Sequence, residues 1–199
     1  MKRITKGTPP EYFCSLPQQY PGAGWEVTRD ISFMLRKHIL YDDQHGLCAY
    51  TELRLSPHSS CSHIDHFRKR SLFREKTFEY NNLLVSCNSE YYSAKYKDKR
   101  ITEQDYELLI NPVEEDPRAH LYYTFTGKVL PRNHSAKGRR TIDLLNLNHP
   151  ALVERRKQIA LMLTNPRYRQ LSDKKVVGLI GEMDSFIRAI RQKVRLTTP

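Results

Sequence analysis

His63-Ile64-Asp65-His66-Phe67-Arg68, followed downstream by Asn81-Asn82-Leu83-Leu84-Val85-Ser86-Cys87-Asn88-Ser89-Glu90, is the stretch whose reading decides the fold. Attack of water on a phosphodiester has three requirements. A base must take the proton, a divalent cation must stabilise charge on the phosphate and leaving oxygen, and a third group must orient the base. Asp65 offers a hard oxygen ligand and His66 an imidazole. Asn82, at the head of an apolar run, offers an amide that would orient the base. Neighbours on an extended strand face opposite ways, so the segment must curve to bring Asp65 and His66 into one site.

Around this core the chain falls into three stretches: 1–46, 47–98 and 99–199. The first opens with a basic, proline-containing segment. Beyond Thr28, Ile31, Met34, Leu35, His38 and Ile39 recur at helical spacing. The last stretch is mostly helical with one hairpin, His120 to Phe125 against Lys128 to Leu130 across Thr126-Gly127. Pro150 after Asn148 marks a helix start, with the helix running to about Thr164. Ser172 then caps a longer helix. In it Val176, Ile180, Met183, Ile187, Ile190 and Val194 form a stripe expected to pack within the chain.

Composition sets the class. With 39% hydrophobic and 10% aromatic residues, the 199-residue chain carries enough apolar material for a packed core. No apolar run is long enough to cross a bilayer and no secretory leader is visible, so a cytoplasmic location is expected. In that compartment Cys14, Cys48, Cys61 and Cys87 read as free thiols or metal ligands, not disulfides. Lys and Arg number 33 against 22 Asp and Glu, giving +11. That favours a nucleic-acid partner, since basic side chains on phosphates release counterions. The run Arg68, Lys69, Arg70 and Arg74 is placed to grip a backbone beside His66. Lys95, Lys97, Lys99 and Arg100 interleave with Tyr91, Tyr92 and Tyr96, combining phosphate contacts with stacking rings. A solvated face and tyrosines packed in a helix are the plainer reading of both groups. Neither a Gly-x-Ser-x-Gly elbow nor a Gly-Lys-Ser phosphate loop occurs, so serine hydrolysis and ATP hydrolysis are not expected.

The arrangement resembles the HNH, or ββα-metal, nucleases: a hairpin bearing Asp-His, then an Asn, then a helix with a last metal ligand. More narrowly it is similar to the HNH component of Septu-type anti-phage defence systems (PtuB-like), including retron-associated members. The match rests on Met1-Lys2-Arg3-Ile4, Trp25, Cys48-Ala49-Tyr50, Ile64 to Arg68 and Asn82 to Cys87. It continues through Asn111-Pro112-Val113, Asp116-Pro117 with His120, Thr141-Ile142, and Leu145-Asn146-Leu147-Asn148. The fold implied is α+β, a ββα-metal core with mostly helical N- and C-terminal additions. The resemblance further implies His66 as general base, Asp65 as ligand of Mg²⁺ or a similar divalent cation, and Asn82 as the orienting residue. It also implies work with a PtuA-like ABC/SMC-type ATPase in defence against phage. In some members a retron reverse transcriptase with its RNA/DNA stands beside them. The nucleic acid cut is DNA or a structured RNA such as a transfer RNA.

Two departures from the family pattern stand out. Its zinc, held by two Cys-x-x-Cys pairs, meets Cys48-x-x-Thr51 and Cys87-x-x-Glu90 here, so a tetrathiolate site is excluded. Two thiolates with Glu90, Cys61 or His63 would make a mixed site. The favoured reading is that Cys48 and Cys87 are small buried residues. Tyr91 occupies the last-ligand position, where Asn88 or Glu90 would substitute, or Asp65, phosphate and water complete the shell. His63 shares the strand face of Asp65. It is either a second metal ligand or phosphate contact, or an ordinary surface histidine. Glu52 either orients a ligand or sits at a turn. The competing functional class is a catalytically impaired nucleic-acid-binding or adaptor subunit of the same complex.

Overall fold

The computed structural model describes residues 1–197. The chain opens with two single-turn helices, α1 (Glu11–Cys14) and α2 (Leu16–Gln19), then α3 (Ser32–His38), which runs into one π-turn over Ile39–Asp43. Strands β1 (Ser62–His66) and β2 (Leu83–Cys87) pair antiparallel, with His66 opposite Leu83 and Asp65 opposite Leu84. The short helix α4 (Ala94–Asp98) follows.

A second antiparallel hairpin joins β3 (Leu121–Tyr123) to β4 (Val129–Pro131), and α5 (Ala136–Leu144) packs on it. The chain closes with α6 (Pro150–Thr164), α7 (Pro166–Arg169), α8 (Asp173–Ile180) and α9 (Asp184–Thr197). The described residues form a mixed α+β fold with two small, separate sheets. Among the described residues no helix is long and apolar enough to cross a membrane.

The buried run Leu83-Leu84-Val85 is explained by what covers it. Leu83 and Val85 face a cluster built from Phe13, Leu16, Leu35, Ile39, Leu40 and Tyr80. Leu84, one residue out of phase, belongs to the larger cluster of Cys48, Tyr50, Phe67, Ile110 and the C-terminal helices. A strand covered on both faces reads as continuous rather than alternating hydrophobicity. Residues of all three sequence stretches meet in the larger cluster, and the first two share the smaller one.

The hairpin and the helix at Pro150 stand where the sequence places them. The Asn148 amide bridges Val129 N and O at 2.8 Å each, and His149 caps α6. The long terminal helix expected after Ser172 is two helices. Gly181 ends α8 in the left-handed region at φ +77°, and α9 begins at Asp184. The stripe survives the break, since Val176, Met183, Ile187 and Ile190 are all buried within the chain. Its spacing simply does not register one turn that glycine reverses. Gly181→Ala is expected to cost about 1–2 kcal/mol, the penalty for a side chain in that region. A urea titration reads it as a lower midpoint at constant slope.

Candidate active site

β1 ends at His66; the Phe67 amide still donates to Asn82 O across the pair at 2.8 Å, and the chain then leaves the sheet. The departing loop returns at Thr77, whose carbonyl lies 3.0 Å from His66 Nε2. A carbonyl oxygen only accepts, so Nε2 carries the proton and Nδ1 keeps the lone pair. Trp25 meets the imidazole edge-on at 4.4 Å between centroids. Burial pushes the imidazole down to about 4, Arg70 adds to that, and the Thr77 bond opposes it. His66 is therefore a neutral base at physiological pH, already in one tautomer.

Asn82 does not touch the imidazole. Its Oδ1 accepts from Arg68 N at 2.7 Å, and its Nδ2 donates to Arg68 O at 3.1 Å and Lys76 O at 3.0 Å. These bonds pin both ends of the loop over residues 68–76, and Thr77 is the next residue. The direct contact between the Asn82 amide and the base expected from the sequence is therefore not made; the amide instead ties down the loop whose next residue, Thr77, meets His66.

Asp65 is closed off: 2% exposed, with Oδ2 accepting from the Tyr50 hydroxyl. Lys97 Nζ lies 3.1 Å from Oδ2 and 3.3 Å from Oδ1. Burial works to raise the Asp65 carboxyl, but the Lys97 charge and the Tyr50 hydrogen bond outweigh it and hold it low. Lys97 mirrors this. Burial lowers its ammonium, Asp65 and Asp98 raise it, and the balance is upward. At zero exposure Lys97 is unavailable to a nucleic-acid backbone, which corrects the sequence reading of that residue.

His63, Asp65 and His66 line one cleft of about 520 Å³ with Lys69, Arg70, Ser71, Lys95 and Asp98. The basic residues divide sharply. Arg70 is exposed, with its guanidinium 5.7 Å over Trp25. Lys69 Nζ donates to Asp98 O at 2.6 Å and Lys95 pairs with Glu90 at 2.9 Å. Arg68 turns away, stacking over Phe73 and Tyr106, and Arg74 is exposed outside the cleft lining. Asp98 escaped the sequence reading. Its buried Oδ1 accepts no hydrogen bond, with Lys97 Nζ 3.4 Å away, and burial together with the Asp65 charge raises its carboxyl to about 6. His63 Nδ1 is likewise buried and without a hydrogen bond.

The expected ligand set for a divalent cation does not assemble. Glu90 points outward, bridging Lys95 and Lys99, which hold its carboxyl at about 2. Asn88 Nδ2 donates to Ser59 O. Asp65 is saturated by Tyr50 and Lys97, so of the expected set His63 keeps beside it Asn88, whose amide hydrogen-bonds it. Among the described residues no three His, Cys, Asp or Glu side chains stand together as a cation's ligands.

The zinc positions have a similar outcome. Cys48 and Cys87 do meet, the Cys87 amide donating to Cys48 Sγ at 3.4 Å, and Thr51 hydrogen-bonds Cys48. Glu90 is absent from the group. Ser93 takes part instead, with Oγ 3.5 Å from Cys48 Sγ and 2.8 Å from Ser86 Oγ. Both thiols are buried. The hydrogen bond to Cys48, with burial, pushes the Cys87 thiol up. Glu52 accepts the Ser185 amide at 2.8 Å and pairs with the Met1 amine at 2.6 Å, fastening α9 to Met1.

No protein-family profile matches the chain. It is 27% identical over 149 residues to the Septu protein PtuB of Bacillus mycoides (strain KBAB4), covering 62% of this chain and 50% of that protein. The chain therefore spans about half the length of the curated relative it matches.

Proposed function

We propose that this chain is the nuclease subunit of an anti-phage defence complex and cleaves phosphodiester bonds with His66 as general base. One observation carries the reading. A buried imidazole is held neutral, with Nε2–H fixed on Thr77 O and Nδ1 left as acceptor, on the wall of a cleft that also presents Arg70, Lys69 and Lys95. Two antiparallel strands, an Asn at the head of the second and a short helix after it follow the order of a ββα unit. The similarity to a Septu protein supplies the biological setting.

In this scheme His66 Nδ1 takes a proton from water as the oxygen attacks phosphorus. The P–O bond to the leaving oxygen then breaks, and that oxygen is protonated by solvent. Arg70, Lys69 and Lys95 offset charge gathering on the phosphate. A divalent cation, when bound, would polarise the phosphate, but the residues around Asp65 as folded do not offer it a seat. The substrate is DNA or a structured RNA such as a transfer RNA. The proposed partners are a PtuA-like ATPase and, for a retron-associated member, a reverse transcriptase with its RNA/DNA. The closed Asp65 favours, as second reading, a catalytically impaired binding or adaptor subunit.

The pH dependence of cleavage separates the two. With its folded pKa at about 4, His66 stays unprotonated throughout the range where free imidazole, at ~6.5, would titrate. The kcat/KM of single-strand or duplex cleavage is expected to hold level as pH falls through 6.5 and to drop only near 4. An acid limb at the free-imidazole value would assign the base elsewhere, and absence of any cleavage would favour the adaptor.

A further inference from the structure

The ammonium of Lys97 sits in a cage of oxygens. Asp65 Oδ2 and Phe67 O lie at 3.1 Å, Asp65 Oδ1 at 3.3 Å, and His66 O and Asp98 Oδ1 at 3.4 Å. These are more acceptors than the three N–H bonds of an ammonium can serve singly. The surroundings resemble the carboxylate and carbonyl oxygens that enclose a hard cation, expanded to nitrogen–oxygen distances. The seat is closed to solvent, and the Tyr50 hydroxyl supplies a further hydrogen bond to Asp65. A divalent ion on Asp65 would share these oxygens with a buried ammonium, like charge against like charge where screening is weak.

We propose that Lys97 is a built-in cation: its ammonium holds the seat on Asp65 that a divalent ion would otherwise occupy, and fixes the turn that presents His66. Lys97 is a positioning residue in this account. It grips the carbonyls of His66 and Phe67, where β1 ends and the loop to Thr77 departs. The idea concerns the surroundings of the proposed base, but its test requires no cleavage, so it stands or falls separately from the nuclease reading.

The test is Mn²⁺ uptake by the full chain, followed as loss of the free-ion electron paramagnetic resonance signal. Wild type is expected to leave the signal unchanged. Lys97→Met, which empties the seat but keeps the stem's bulk, is expected to take up a single Mn²⁺ per chain and to melt higher in its presence. Adding Asp65→Asn to Lys97→Met should abolish both effects. A merely structural lysine would give no such gain. Saturable Mn²⁺ binding by wild type that Asp65→Asn removes would overturn the proposal, as would a folded Lys97→Met that binds none. If Lys97→Met folds only when Mn²⁺ is added, the proposal holds. If it folds under neither condition, Mn²⁺ broadening of the wild-type amide resonances of residues 65–67 decides: broadening overturns it, unchanged lines uphold it.

Discussion

His66→Ala is expected to lower phosphodiester cleavage by about 10²–10⁴-fold, the range a positioned general base contributes, while the protein stays folded. The first half follows from the site. No second histidine shares the Thr77 contact, and His63, the other imidazole on the cleft wall, sits three residues earlier on β1. The second half follows from how little else depends on the ring. Its loss frees Thr77 O and removes an edge contact with Trp25, each worth roughly 1 kcal/mol. The pinning of the loop by Asn82 stays in place. Single-turnover cleavage beside a thermal melt separates the effects. A variant that keeps wild-type rates would remove His66 from the mechanism.

Asp65→Ala is expected to be the most damaging substitution for stability, costing about 3–5 kcal/mol because it leaves the buried Lys97 ammonium uncompensated. The Tyr50 hydroxyl loses its acceptor in the same stroke. Burial drives the carboxyl up while Lys97 and Tyr50 hold it low on balance, so the pair's contribution is present at neutral pH. It fades as pH falls below the carboxylate's ordinary range through the depressed folded value. Combining Asp65→Ala with Lys97→Met should recover much of the loss, since removing both charges leaves none stranded. Urea titrations of the two single variants and the double variant close the cycle. An Asp65→Ala midpoint equal to wild type would show that the pair carries no such energy.

What the sequence reveals and conceals here follows physical range. Local signals serve well. Gly127 turns the second hairpin, Pro150 opens α6 and Ser172 caps α8; of the stripe after Thr28, Leu35 on α3 and Ile39 on the π-turn are buried, whereas Met34 is exposed. Gly181 was legible in principle: a glycine between periodic apolar residues is a helix stop, but the stripe on both sides masks it.

The site divides in the same way. Asp65, His66 and Asn82 are brought together around one turn. Asn82, though, bonds the carbonyls of residues 68 and 76 and not the imidazole, a placement no spacing encodes. Lys97 looks like one more basic residue in a basic helix, and only the fold shows that α4 delivers it to a carboxylate 32 positions earlier. Its clue is slight: Ala94 and Lys97 share a helical face, and Ala94 is fully buried. Glu90 fails as a ligand for the converse reason, because Lys95 and Lys99 lie within its reach and hold it at the surface. Ser93, which completes the thiol cluster, lies outside either Cys-x-x-x half-pair and is placed by its positive φ of 71°.

The central claim, that His66 breaks phosphodiester bonds, is tested most directly by mapping ends. Cells expressing the protein with the proposed ATPase partner, wild type beside His66→Ala, are challenged with phage, and new termini in total DNA and total RNA are sequenced. The expected result is a set of ends in one of the two nucleic acids that disappears in the variant, which would also name the substrate. Identical ends in both strains, or none in either, would contradict the claim and leave this chain as a binding subunit.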